Sequence, residues 1–260
     1  EIGKDVATAP PSTRTPAAPK RRLLGAREVA ALGAAALLQA LLVCLAVLPG
    51  LPLAKIVGLE LLAPSLAGLA ASLALLLAPA LSLSEEALAA DSAAARRWSW
   101  LARAGFAGAW QGAALGFFLL VASRTSAVDD AALPRCVSVV AAGAFVAVLL
   151  AGAFPRAYAG LAFFWAAGLP VFWYLANELF FAVATRAGGP EAAALQAWMD
   201  GSLRFSPVAA AVGALNGKLV SGGAFGWGAC ACFAGTAGLA GALLLWKLGA
   251  RPQDQSKSLF

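Results

Sequence analysis

AGFAGAWQGAALGFFLLVAS, residues 104–123, runs for 20 residues without a charged side chain. A helix of that length rises about 30 Å, which matches the hydrocarbon core of a bilayer. The stretch is continuous rather than alternating. It therefore reads as a transmembrane helix and not as a barrel strand, since a helix satisfies its own backbone in lipid. Within it Gly108, Gly112 and Gly116 recur every four residues and so share one helix face. Helices in lipid associate through packing rather than through burial of apolar area, and small residues at this spacing let two backbones approach. The pattern returns more diffusely near the end of the chain, at Gly222/Gly226 and through Gly235, Gly238 and Gly241.

Outward from this segment, five more apolar stretches lie at 29–48, 61–83, 137–154, 158–185 and 225–246. Breakers divide them: Pro49-Gly50-Leu51-Pro52, the acidic run from Ser82, the loop from Arg124 to Arg135, Pro155-Arg156, and Gly188-Gly189-Pro190. The whole chain agrees with its parts. Of 260 residues, 61% are hydrophobic and 12% charged, and the mean hydropathy is +0.80. A soluble domain carries about 25% charge, so this chain lacks the polar residues to cover a globule in water. The expected fold is all-α, a polytopic membrane protein of about six transmembrane helices.

The charges predict its orientation. With the N-terminus inside, 13 of the 19 Lys and Arg residues fall on the inner side, which is the positive-inside pattern. Both termini are then expected on that positive, inner side. Lys20, Arg21, Arg22, Arg96 and Arg97 form basic membrane-surface clusters suited to lipids with anionic headgroups. This accounts for the net charge of +6 without a nucleic-acid partner. Residues 1–22, with Pro10, Pro11, Pro16 and Pro19, read as a flexible proline-rich arm. The transmembrane domain is expected over 23–248, with a polar tail at 249–260. Within it, 190–221 is too polar and broken to cross simply; its apolar piece 207–215 reads as an interfacial or re-entrant half-helix. The chain opens on Glu1 rather than Met, which reads as a processed or trimmed end, and Glu1 and Asp5 argue against the arm being an intact transit peptide. The composition suits an organelle membrane, plastid or mitochondrial, or a bacterial inner membrane equally.

Chemistry is sparse. Histidine is absent, which removes the commonest general base and metal ligand. Cys44, Cys136, Cys230 and Cys232 form no Cys-x-x-Cys, and Cys230 and Cys232 point roughly 200° apart on a helix; they read as buried apolar thiols. No nucleotide-binding loop, nucleophile elbow or metal-ligand spacing is present. No catalytic residue and no metal site is nominated, so the chain does not read as an enzyme. No cofactor is identified; a bound lipid or pigment would need Glu, Asn, Gln, carbonyl or water ligands.

Glu178 is the residue that composition leaves unexplained. An ionisable group within a span is costly and marks a functional site by default. A proton or cation site, a substrate contact and a hydrogen-bonded helix joint with Asn177 or Tyr174 are all open to it. Gln111 and Gln39 are the other in-span polar side chains, with interhelical hydrogen bonding as their simplest role. Pro170 is expected to kink the fifth span, and Trp98, Trp100, Trp165, Trp173 and Trp246 read as interfacial anchors.

Three elements of the last third, Leu203-Arg204-Phe205-Ser206-Pro207-Val208-Ala209-Ala210, then Ala214-Leu215-Asn216-Gly217-Lys218, then a final span closing on Trp246-Lys247-Leu248, resemble ABC-2-type permeases. The resemblance implies the six-span membrane half of an ATP-driven exporter, and it carries over no residue roles. Two functional classes follow. One is a non-catalytic subunit or scaffold held by glycine-faced packing among other membrane subunits. The other is a permease for a small or lipid-like substrate, with Glu178, Asn177 and Gln111 lining the path.

Overall fold

The computed structural model describes residues 24–47, 59–82, 93–124, 131–168, 204–215 and 222–249, together with positions 171, 175 and 201. Among these every regular element is helical: α1 (Ala26–Val47), α2 (Leu59–Ser82), α3 (Ala93–Ser123), α4 (Ala132–Ala153), α5 (Tyr158–Phe163), a π-helical turn that continues it (Phe164–Gly168), α6 (Pro207–Leu215) and α7 (Gly222–Gly249). The first four helices each contain a stretch long and apolar enough to cross a membrane. The protein is an integral membrane protein of helical type. Shorter apolar helices at Tyr158–Gly168 and Trp227–Leu243 stand where the fifth and sixth spans are expected; the rest of the fifth expected span lies outside the described residues, apart from positions 171 and 175.

Contacts between the helices show that they alternate in direction. Glu28 at the start of α1 meets Arg103 in the first third of α3, and Arg103 also reaches Leu81 at the end of α2. Trp100 packs on Gly152 at the end of α4, and Tyr158 at the start of α5 reaches Leu75. At the other end, Gly112 and Gly116 late in α3 meet Val137 early in α4. Arg27, Arg97, Arg103 and Arg156 thereby gather at one end, and Arg124 and Arg135 at the other.

α4 is the centre of the bundle, with α2, α3, α6 and α7 all packed against it. Its composition allows this, since Val139, Val140, Ala144, Val146, Ala147 and Ala151 are buried around much of its circumference. A helix that is apolar all round is one surrounded by other helices or lipid. α6 is only 9 residues long, yet Pro207, Ala210, Ala211, Gly213, Ala214 and Leu215 are buried. It starts against Gly143, midway along α4, where an added Cβ would lie 3.1 Å from Pro207. Ser206 is fully buried and caps it, its Oγ accepting from the Ala209 N–H at 3.3 Å. Proline in the first turn follows the usual preference, because its missing N–H is one the helix leaves free there.

Two expectations are corrected. α3 begins at Ala93 rather than near 104 and is 31 residues long, about 46 Å, so its first turns extend past the hydrocarbon. There Trp98 is exposed, as an interfacial anchor would be. Trp100 and Trp165 are instead buried, the first over Gly152 and the second edge-on to Phe233. Both have flat apolar partners across the bundle, so the core takes them in place of the interface.

A proline within α2 explains a contact across the bundle. Pro79 has no N–H to give to the carbonyl four residues earlier, that of Leu75. The Tyr158 hydroxyl donates to this carbonyl at 2.9 Å, which satisfies a group that lipid could not. Pro170, expected to kink the fifth span, lies outside the described residues; the helix before it passes into the π-helical turn Phe164–Gly168. Tyr158→Phe is expected to destabilise the protein by about 1–3 kcal/mol in chemical unfolding from detergent. In a Pro79→Ala background, where residue 79 supplies its own N–H, the same change should cost distinctly less.

Candidate functional site

The buried polar chemistry of the described residues is concentrated between α1 and α3. Glu28 and Arg103 are 4% and 1% exposed and form an ion pair, with Nη1 2.8 Å from Oε1. Local structure prepares both partners. Glu28 lies in the first turn of α1, where the helix dipole favours an anion. Its Oε2 also accepts from the Gly25 N–H, the reach-back half of a capping box. Arg103 additionally donates to the Leu81 carbonyl at 3.3 Å, one of the last carbonyls of α2, which have no partner within their own helix. One carboxylate and one guanidinium thus join the start of α1, the end of α2 and the lower part of α3.

Eleven residues further along α1, about 16 Å deeper, Gln39 meets Gln111 of α3. The Gln39 amide donates to Gln111 Oε1 at 3.4 Å, and the side chains are 0% and 2% exposed. Gln39 Oε1 and Gln111 Nε2 have no partner among the described residues. A single long hydrogen bond between two buried amides holds helices at a register but leaves half their capacity unmet. Between the two polar pairs, Trp110 donates to the Leu32 carbonyl at 3.3 Å.

The three glycines of α3 form a seam with α4. A Cβ on Gly108 would sit 2.8 Å from the Ala141 carbonyl oxygen and one on Gly112 3.2 Å from Ala141 Cβ; Gly116 faces Val137 at 3.6 Å. Only glycine fits at Gly108, because the obstructing atom is backbone. Gly235 and Gly238 of α7 differ: no described atom lies within 4 Å of a Cβ placed on either, or on Gly241. Glu178, Asn177, Lys20, Arg21 and Arg22 lie outside the described residues. Arg96 belongs to α3, and Arg97 beside it is half-buried. Gln111 is therefore brought to Gln39, while its relation to Glu178 and Asn177 falls outside the described residues.

Two apolar grooves open on the sides of the bundle. One, of about 590 Å³, runs between α3, α4 and α7 and is lined by Leu101, Phe145, Leu149, Ala237, Gly238 and Gly241 among others. The second, of about 510 Å³, lies between α2, the turn at 154–157 and α5. Among the described residues no cluster of three His, Cys, Asp or Glu side chains forms a metal site. No protein family, curated protein or solved structure matches the chain.

In the sequence Arg103 is one of the 13 inner-side charges, and no local pattern gives Glu28 a role. The signal that would have paired them is positional: each stands at the inner end of a span, and helices one and three of an alternating bundle run parallel. For the glutamines, removing one amide leaves the other buried alone, whereas removing both leaves apolar packing. Gln111→Leu is expected to cost about 1–2 kcal/mol in detergent unfolding, and Gln39→Leu combined with Gln111→Leu to lie within about 0.5 kcal/mol of the parent.

Proposed function

We propose that the protein is a non-catalytic integral membrane subunit, a scaffold that keeps its own helices in fixed register and offers the α7 face to a transmembrane helix of a neighbouring subunit. The observation that carries this reading is the contrast between its glycine faces. The glycines of α3 are already in contact with α4, while Gly238 and Gly241 lie open along a groove whose α7 wall is otherwise alanine and cysteine at Cys230, Ala234, Ala237 and Ala242, apart from Phe233. Small residues on a lipid-facing helix permit close backbone approach. The basic end of the bundle then faces the cytoplasm-equivalent side, in an organelle or bacterial inner membrane, with anionic lipid around it.

A second reading, an ABC-2-like permease, is favoured by α6. This short helix starts beside the middle of α4, and discontinuous helices with ends near the midplane are how many transporters build substrate sites. In that reading Glu178, Asn177 and Gln111 line the path. Loss of flux in Glu178→Gln, with assembly intact, would favour it over the scaffold.

For the scaffold reading, the full chain extracted from its native membrane in gentle detergent is expected to migrate with partner chains by native mass measurement. Gly238→Leu should release it from those partners while leaving its unfolding midpoint within a few degrees, since a Cβ at this position has no described atom within 4 Å. Gly108→Leu should instead destabilise the chain by 1–3 kcal/mol, about the usual cost of overpacking, or more. Migration of the wild-type protein as a single chain would contradict the proposal.

A further inference from the structure

The second groove has a different character from the glycine-lined one. Its walls are Leu75, Leu76 and Pro79 of α2 and Tyr158, Ala162 and Phe163 of α5 and its turn, with no glycine among the lining residues. Both hydroxyls in the lining are already engaged: Tyr158 donates to the Leu75 carbonyl at 2.9 Å, and Ser72 to the Gly68 carbonyl at 2.8 Å. The groove therefore presents an apolar wall with no free hydroxyl. Small residues such as Ala159 and Ala162 also line it, but Leu76 and Phe163, each 73% exposed, stand out from its two walls and hold a neighbouring helix backbone off, whereas a flexible hydrocarbon chain can follow the relief between them.

Length and charge identify which hydrocarbon. Along α2 the groove runs from Ser72 to Pro79, about 10 Å at helical rise, which lies within one leaflet of a core about 30 Å thick. Its end at Pro155 adjoins Arg156, which is exposed in the turn at 154–157 and makes no ion pair with a described residue. Arg27, Arg97 and Arg103 lie at the same end of the bundle. An arginine at the headgroup level, above an apolar slot within one leaflet, matches an anionic phosphate on an acyl chain.

We propose that this groove holds one acyl chain of an anionic phospholipid, with Arg156 at its phosphate-bearing headgroup. The site is independent of the α7 face, so the two ideas succeed or fail separately. The full chain is reconstituted into vesicles of phosphatidylcholine and phosphatidylglycerol, re-extracted gently, and its retained lipids are quantified by mass spectrometry. The wild type should retain phosphatidylglycerol in preference to phosphatidylcholine. Arg156→Gln should cut that preference about fivefold, from the loss of one interfacial cation. Leu76→Trp narrows the groove from an exposed position, 73% accessible, and should lower retention of both lipids, whereas Gly238→Leu should retain them at the wild-type level. Equal retention of the two lipids by the wild type, or unchanged retention in Arg156→Gln and Leu76→Trp alike, would overturn the proposal. So would a protein segment crosslinked into the groove.

Discussion

A carboxylate and a guanidinium, both nearly inaccessible to solvent, hold three helix ends together. In lipid, burying apolar side chains against one another gains little over leaving them in the acyl chains, so helix association must come from packing and polar contacts. α1 depends on this more than its neighbours do. Leu37, Leu38 and Leu41 are exposed on its outer side, and among the described residues its main neighbours are α2 and α3. Glu28 fixes its start to Arg103 and, through that guanidinium, to the end of α2. Gln39 and Gln111 fix it again about three turns deeper. Each charge removed alone would leave the other buried, at a cost of several kcal/mol.

The rest of the bundle is organised by shape. α4 sits where four helices can reach it, and small residues set how closely they come. Gly108 admits the Ala141 carbonyl, Gly143 admits Pro207, and Gly152 lies under Trp100. These contacts divide the surface of the molecule into kinds. The α3–α4 seam is closed, the α7 glycines are open, and the α2–α5 groove is apolar without glycine. Function is argued from that division, since the buried acid and amides described are engaged in joining helices.

Much of the fold was legible because lipid imposes simple rules. An uncharged run of the right length, as at residues 104–123, announces a span, and its glycines announce a packed face. The boundaries were less legible where polar residues serve the interior. Arg96, Arg97 and Arg103 look like a surface cluster, so α3 was expected to start after them; helix geometry carries the chain through all three and turns Arg103 inward. Pairing of Glu28 with Arg103 spans 75 positions in sequence, and no local pattern encodes it. Burial of Trp100 and Trp165 likewise depends on what stands opposite, Gly152 and Phe233. The role of Tyr158 is not legible in sequence, because its partner is a carbonyl freed by Pro79 that comes within reach only once α2 and α5 are adjacent. Of the candidate site residues, Gln111 is engaged with Gln39, while Glu178 and Asn177 lie outside the described residues.

The claim that the ion pair couples α1 to the bundle is tested most directly by a double-mutant cycle. Glu28→Gln, Arg103→Met and their combination are compared by unfolding of the full chain in detergent. Each single change is predicted to cost about 3–5 kcal/mol and the double change much less than their sum. Costs that add to within about 0.5 kcal/mol would show that the two charges act independently and would contradict the account.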